Sequence, residues 1–421
     1  MKEIFSERYE YIVGLDAGSG TAKCMVGELG DQCNLKVIGA EEIPMTGDWD
    51  TEEGLNENSR QIHKLIKSVE EQTKLEIYTL YITAGRGEIK GLNVTGSMDL
   101  DGARITKRHC SKLLKSASRL SIPHGFELIH ILPQKYYIDE NKKVTDPTGF
   151  SARKLEVDLH VISGDSKSLN RKRALVKNAG YYIEGIVVDS LASFLGGRGL
   201  YSRERDVLIL NVGAKNTDIL FFVEGQIVIT SQIFFGLNDI INEFEYRFGI
   251  TEKDAGKLLR SYIQYRNSCS VHSGEKNSSS FTIVQKLRSG PAGYSPRTKK
   301  ISEHTISLVV SYMITQMIAK VKGSIIGYLK NDISTIQVVL MGGGAYLGEM
   351  EKEFREKFGC DIIIGENKLK SGGDLFGTAY GLLRYGAQER RSMQKEEKAG
   401  IAARIKQIFL NLSSWAKVPL S

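Results

Sequence analysis

No stretch of about 18 apolar residues occurs in this sequence, so no helix of it is expected to cross a bilayer, and any membrane contact must be peripheral. Residues Met1 to Tyr9 are polar and hold no signal-peptide core. Cysteine is sparse: Cys24, Cys33, Cys110, Cys269 and Cys360 stand singly, with no CxxC pair and no histidine at ligand spacing. That excludes a disulfide framework and a zinc site, and is the pattern of reduced cytosolic thiols. A GxxxxGK(S/T) loop is absent, and neither glycine-rich turn fits the spaced dinucleotide fingerprint. A strong charge of one sign is absent too. The excess of 57 Lys+Arg over 50 Asp+Glu is mild for 421 residues. It suits an anionic membrane surface or an acidic partner and gives no argument for nucleic acid. With 41% hydrophobic and 25% charged residues, the chain is neither disordered nor fibrous, and its length points to two domains of roughly 200 residues each.

What is present is an internal echo. Residues 11–26, YIVGLDAGSGTAKCMV, read as a strand, a Gly-rich turn and a second strand; residues 207–222, VLILNVGAKNTDILFF, repeat that plan. Asp16-x-Gly18 aligns with Asn211-x-Gly213. Between the two, 55–74 reads as a helix and 77–83 as a buried strand. The plan then breaks at 84–163. A Lys-rich helix (Ile105–Leu120), a strand-like run (Glu127–Leu132), a turn at Asp146-Pro147-Thr148-Gly149 and an alternating strand (Lys154–Ile162) read there as an inserted α+β module. A strand at 187–189 returns to the main plan. Later, 237–262 and 301–330 read as helices around a hairpin in Asn267–Lys300. The strand Ile336–Leu340 runs into Met341-Gly342-Gly343-Gly344, a helix covers Gly373–Gly386, and a charged linker, 387–400, precedes an amphipathic tail.

The two hairpins suit phosphate chemistry. Small residues let successive backbone N–H groups curl into an anion nest. An acidic residue at the strand end can hold Mg2+ through water. Two such hairpins face to face would clamp a triphosphate, and Gly342, Gly343 and Gly344 would let a flat base approach the backbone. Three glycine clusters in this order and spacing resemble the phosphate-1, phosphate-2 and adenosine motifs of the actin/Hsp70/sugar-kinase superfamily.

Within that superfamily the chain resembles FtsA, the bacterial actin-like cell-division family, over roughly residues 9–418. The resemblance rests on the insert at 84–163, with Ile131-Leu-Pro-Gln-Lys-Tyr-Tyr-Ile-Asp139, Asp146-Pro-Thr-Gly149 and Leu155-Glu-Val-Asp-Leu-His-Val-Ile162. It rests also on Asp189-Ser190-Leu191-Ala192-Ser193, on Thr378-Ala379-Tyr380-Gly381-Leu382-Leu383 and on the C-terminal helix. It implies an α/β, actin-like (ribonuclease H-like) two-domain fold with an inserted α+β subdomain (1C) and a C-terminal amphipathic helix. The expected parts are 1A (9–83 and 164–205), 1C (84–163), 2A (206–245 and 335–386), 2B (246–334), the linker 387–400 and a membrane-targeting helix, 401–418.

The resemblance further implies ATP with Mg2+ as cofactors. The cofactor-binding set would be Asp16, Gly18, Ser19, Gly20, Thr21, Lys23, Asn211, Gly213, Lys215, Gly236, Lys257, Gly342, Gly343 and Gly344. Asp16 and Asn211 stand at the metal, and Asp218 is the candidate catalytic group, where actin carries a His near the attacking water. The sequence departs from the family at three points. Thr21 stands where a Lys is usual, with Lys23 two residues on; Asn211, Ala214 and Lys215 replace an Asp and two glycines; and the helical Glu near the ribose is Gly256, with Lys257 or Arg260 as substitutes. At most a slow ATPase is expected, acting mainly as a nucleotide-dependent scaffold.

On a helical wheel, Ile401, Ala402, Ile405, Ile408, Phe409, Leu412, Trp415 and Ala416 share one face, flanked by Arg404 and Lys406. This is the pattern of an interfacial anchor, with Ile405, Ile408, Phe409, Leu412 and Trp415 entering the membrane. The implied partners are the FtsZ C-terminal tail (with Arg297 in its contact segment), further copies of the chain, other divisome proteins and the inner leaflet of the cell membrane at the division site. The alternatives are a PilM-like adaptor of pilus assembly and, further off, a sugar-kinase-type phosphotransferase.

Overall fold

The computed structural model describes residues 11–30, 35–85, 87–119, 122–197, 205–269, 280–288, 294–329, 332–365 and 376–398. The first half opens with β1 (Tyr11–Ala17), β2 (Thr21–Leu29) and β3 (Leu35–Pro44), an antiparallel meander, followed by α1 (Glu52–Thr73) and β4 (Thr79–Thr83). Thr51 caps α1 by accepting the Gly54 amide, and Lys74 closes it in the left-handed region at φ 60°. An inserted module follows, made of β5 (Ile89–Asp99), α2 (Lys107–Arg119), β6 (Phe126–Ile138), β7 (Lys142–Val144) and β8 (Lys154–Asp165). Then come α3 (Ser166–Asn178), β9 (Tyr182–Val187) and α4 (Asp189–Gly196).

The second half repeats the plan with β10 (Val207–Val212), β11 (Thr217–Val223), β12 (Gln226–Ile233), α5 (Leu237–Phe248), α6 (Glu252–Cys269), β13 (Ser280–Arg288), β14 (Tyr294–Ser302), α7 (Glu303–Ile325), β15 (Gln337–Met341), α8 (Gly348–Phe358), β16 (Asp361–Ile364) and α9 (Gly377–Lys398). The two main sheets have matching orders, β3-β2-β1-β4-β9 and β12-β11-β10-β15-β16. Registers match as well: Asp16 lies opposite Lys23, and Asn211 opposite Asp218. The internal echo is therefore a duplicated sheet. β15 pairs in parallel on both sides and is buried along its whole length, which is why its sequence is a continuous apolar run.

The insert is a four-stranded sheet, β5-β8-β6-β7. On β8, Leu155, Val157, Leu159 and Val161 pack against Leu113, Leu114 and Ala117 of α2, so the alternation in the sequence marks one buried face.

Between the two main sheets lie α4 and α9, whose backbones nearly touch. A Cβ on Gly381 would stand 1.7 Å from the Ala192 carbonyl oxygen, and one on Gly196 would stand 1.9 Å from that of Gly377. Only glycine allows that approach. Ser193 and Thr378 hydroxyls meet across it at 3.1 Å. One core contains Ile12 and Met25 from the first sheet, Ile209 and Leu220 from the second, and Leu191 and Leu382 from the two helices. The halves thus share a hydrophobic hinge.

Three sequence expectations change. The strand expected at 187–189 ends at Val187, because Asp189 begins α4. The helix expected over 237–262 is two helices, broken at Gly249 with φ 53°. Residues 387–398, expected as a linker, continue α9, and Ala387, Glu389 and Arg390 are buried. Polarity suggested a tether there, but Arg390 is paired: it donates to the Tyr11 carbonyl at 2.7 Å and to both Glu184 oxygens at 3.1 Å. The tail 401–418 lies outside the described residues.

Gly381→Ala is expected to cost about 3 kcal/mol through overpacking against the Ala192 carbonyl. A urea-denaturation midpoint unchanged from wild type would mean that the helices can part without penalty.

Candidate functional site

The β1–β2 turn closes by a bond from the Gly18 amide to the Thr21 carbonyl (3.0 Å), and the β10–β11 turn by the equivalent bond from Gly213 to Asn216 (2.9 Å). A Cβ on either glycine would stand 3.0 Å from the carbonyl it bonds. In the second turn the Gly213 and Ala214 carbonyls accept from Leu237 and Asn238, the first amides of α5, at 3.0 and 2.8 Å. A trans peptide points its N–H away from its C=O, so the Ala214 and Lys215 amides face away from α5, where an anion can take them.

Both turns open into one cleft of about 450 Å³. Of the residues singled out in the sequence, Asp16, Gly18, Ser19, Gly20, Thr21, Lys23, Asn211, Gly213, Lys215, Asp218, Gly342 and Gly343 line it. Gly236 and Gly344 do not. Their role is steric: a Cβ on Gly236 would lie 2.5 Å from the Ala214 carbonyl oxygen, and one on Gly344 2.3 Å from Val212 Cγ1. Gly342 has φ 81°, and a Cβ there would stand 2.5 Å from Asn211 Oδ1. Lys257 points elsewhere, 3.8 Å from Asp254, whereas Arg260, one turn on, lines the cleft with Leu237, Ile241, Leu259, Ile263 and Tyr346. Arg297 lies on β14 opposite Gln285, and Ile405, Ile408, Phe409, Leu412 and Trp415 lie outside the described residues.

The cleft floor brings three carboxylates together. Asp16 accepts from the Thr83 hydroxyl at 3.1 Å and Asp189 from the Gly85 amide at 2.6 Å. Asp218 accepts from Asn211 Nδ2 at 3.2 Å and from Gln232 Nε2 at 3.0 Å. Lys172 is 2% exposed, donates to the Ala17 carbonyl at 2.5 Å, and holds its charge beside Asp189. Burial, reinforced by the charge of Asp189, pushes Asp218 up to about 8. Burial also pushes Asp189 up to about 6, with Lys172 acting against it. Asn211 has a clear reason to be an amide: it donates to Asp218, where an Asp would add a fourth carboxylate.

Among the described residues there is no preformed cage of three metal ligands. A cation here would be held by one or two carboxylates together with water and the oxygens of an anion, which is the usual manner of Mg2+. The glycine turns and the floor are complementary, since the turns attract an anion and the floor attracts the cation that would accompany it.

Asp189, Lys172, Thr83 and Gln232 were not singled out as site residues in the sequence. Lys172 carried a signal nonetheless: with Leu169, Leu175 and Val176 it sits on the buried stripe of α3. Asp189 stood at the head of a quoted string, and nothing local marked Thr83 or Gln232.

Residues 87–163 match the SHS2 domain inserted in FtsA. Over 417 residues the chain is 23% identical to the cell division protein FtsA of Borreliella burgdorferi, covering 96% of this chain and 97% of that one. Over 421 residues it is 21% identical to FtsA of Escherichia coli strain K12, again covering 96% and 97%. Among solved structures, the PilM-PilN type IV pilus biogenesis complex superposes with a TM-score of 0.59 at 12% identity, over 89% of this chain and 98% of that one. The fold is the actin-like one, with the insert in its first half.

The carboxylate floor sets a pH dependence whose sign can be worked out. His130 and His160 are held neutral by burial, down to about 3. Unfolding lets them bind protons below about 6.5, so stability rises with pH up to that point. Asp218 and Asp189 have raised values, keep protons that the unfolded chain releases near pH 4, and lower stability as pH rises. The opposing pairs overlap below 6.5; between 6.5 and 8 only Asp218 remains. Without ligand, stability should fall across that window by about 1–2 kcal/mol, and Asp218→Asn should flatten the fall. A flat wild-type profile from urea titrations would contradict the buried, proton-holding Asp218.

Proposed function

Because the chain is FtsA-like along its length and carries that family's SHS2 insert, we propose that it is an ATP-binding, actin-like scaffold of cell division that polymerises on the cytoplasmic membrane and anchors FtsZ filaments there. The observation that carries the nucleotide part is the pair of equivalent glycine turns facing one cleft over a carboxylate floor. The triphosphate would lie between the turns, with Lys23 and Lys215 as point charges. Mg2+ would be held through water by Asp16, with Asn211 offering a hydrogen bond and no charge. The nucleoside would lie along Gly342, Gly343 and the apolar side of the cleft, with Arg260 rather than Lys257 as its cation.

Hydrolysis is slow on this reading. Phosphoryl transfer depends on neutralised charge and an oriented nucleophilic water. Asn211 weakens the metal side, and Asp218, the group available to orient the water, already receives hydrogen bonds from Asn211 and Gln232. Membrane attachment rests on residues 401–416, whose sequence pattern is that of a one-sided helix. Five large apolar side chains, at roughly 25 cal/mol per Å² buried, supply several kcal/mol before ordering costs. Polymerisation would multiply that by avidity. A PilM-like adaptor shares the fold and would dock on a membrane protein's tail; direct lipid binding separates the two readings.

Mg-ATP is expected to raise the melting temperature of the wild type and to leave Gly342→Val, which blocks the cleft beside Asn211, unmoved. Turnover should stay below about 1 s⁻¹. Absence of any nucleotide-dependent shift in the wild type would remove the ATP assignment.

On anionic liposomes the full chain should sediment, form filaments visible by electron microscopy and bring an FtsZ tail peptide with it. Ile408→Asp with Trp415→Glu should bring neither protein nor peptide, and Arg297→Glu should bring the protein alone. Equal sedimentation of the double variant would rule out the tail as anchor.

A further inference from the structure

The insert does not hang free of the second half. It covers β12, the edge strand of the second sheet, in the way that exposed sheet edges are commonly protected. Asn93 Nδ2 on β5 donates to the Val228 carbonyl at 2.9 Å, and Gln134 Nε2 on β6 donates to that of Ile227 at 3.0 Å. Lys135 donates to Gln226 Oε1 at 2.9 Å. The centre of the contact is His160 on β8. Its Nε2 lies 2.9 Å from the Thr230 hydroxyl and its Nδ1 2.7 Å from Asn93 Oδ1, so both ring nitrogens are engaged. Gly91 makes room for this, since a Cβ there would stand 2.5 Å from His160 Nε2 and 2.8 Å from Thr230 Cβ. His160 belongs to the face of β8 opposite the one packed on α2. The alternation in that strand therefore serves two contacts: the module's own core and this docking surface.

The same strand reaches the cleft floor. Gln232 lies two residues beyond Thr230, hence on the same face of β12, and sits directly opposite Asp218 in the β11–β12 register. Its Nε2 gives Asp218 one of its two amide donors. Its reach to Asp218 is fixed by where β12 lies. The charged groups acting on Asp218 from other elements are Asp16 on β1 and Asp189 on α4, with Lys172 of α3 beside Asp189. Lys23 and Lys215 line the same cleft.

We propose that Gln232 is a positioning residue for Asp218 and that the insert, by seating β12 through His160 and Thr230, sets that position, so that insert docking and the state of the cleft are coupled in free energy. The coupling is reciprocal: what steadies the insert favours the hydrogen-bonded position of Asp218, and what fills the cleft steadies the insert. It rests on the nucleotide reading only where a nucleotide is the probe.

The test has a ligand-free arm and a ligand arm, both on the full chain. In the first, hydrogen exchange at 217–219, around Asp218, is read in variants without ligand. Gln232→Leu removes a donor to Asp218 and should quicken exchange there several-fold. Thr230→Val keeps the shape of the side chain, breaks the bond to His160, and should quicken it by less. Thr95→Val breaks a bond to Asp158 inside the insert, away from β12, and should leave it alone. Unchanged exchange in Gln232→Leu would remove the positioning role. Unchanged exchange in Thr230→Val, with Gln232→Leu quickened, would remove the coupling, as would equal quickening in Thr95→Val.

In the second arm, hydrogen exchange is read at 91–94 and 159–162 with and without saturating Mg-ATP. Slowing by several-fold in the wild type, lost in Gln232→Leu while that variant still binds, is the expected result. Binding that leaves those amides unchanged would overturn the proposal. If Mg-ATP does not bind at all, the nucleotide reading fails and the ligand-free arm decides the coupling alone.

Discussion

The approach of α4 to α9 is the constraint on which the rest depends. Two sheets of the same order can face one another across a cleft only if something thin stands between them, and here it is two helices crossing at glycines. Gly196 and Gly381 each bring backbone against backbone, where any side chain would meet a carbonyl oxygen at under 2 Å. The result is a narrow hydrophobic hinge fed from both halves. Because α4 begins at Asp189, the same helix that forms the hinge also delivers a carboxylate to the cleft floor. Hinge and site are thus mechanically one element.

The floor concentrates negative charge where the turns above it attract an anion. Burial, with the neighbouring carboxylates adding to it, raises both Asp218 and Asp189. The chain moderates this rise in two ways. Lys172 is buried beside Asp189, and position 211 carries an amide that donates to Asp218 rather than repelling it. Read from the sequence alone, Asn211 is the loss of a metal-facing charge; in the structure it also steadies the neighbouring carboxylate.

Much of this was legible beforehand, and the reasons are local. The Asp16 and Asn211 turns advertise themselves because glycines at fixed offsets between apolar strands have few other uses, and the duplicated sheet follows from their echo. The β8 alternation revealed the insert for the same kind of reason. What escaped notice depends on tertiary contact. Gln232 looks like any strand polar residue until β11 lies beside it. Residues 387–398 read as a tether because charged residues normally mean solvent, yet Arg390 finds Glu184 and the Tyr11 carbonyl, partners far away in sequence. Lys257 and Arg260 could not be told apart, since only the direction in which the helix faces decides which of them meets the cleft.

That Arg390 clamp gives the end of α9 a mechanical meaning. The helix starts beside the cleft, crosses α4 at the hinge, and is pinned near its far end to β1 and β9 of the first sheet. A load arriving from beyond Lys398 therefore meets the guanidinium–carboxylate pair and the Tyr11 carbonyl before it reaches the glycine crossing. Tension applied at Lys398 would pass into the first sheet at Tyr11 and Glu184 before it reached the glycine crossing.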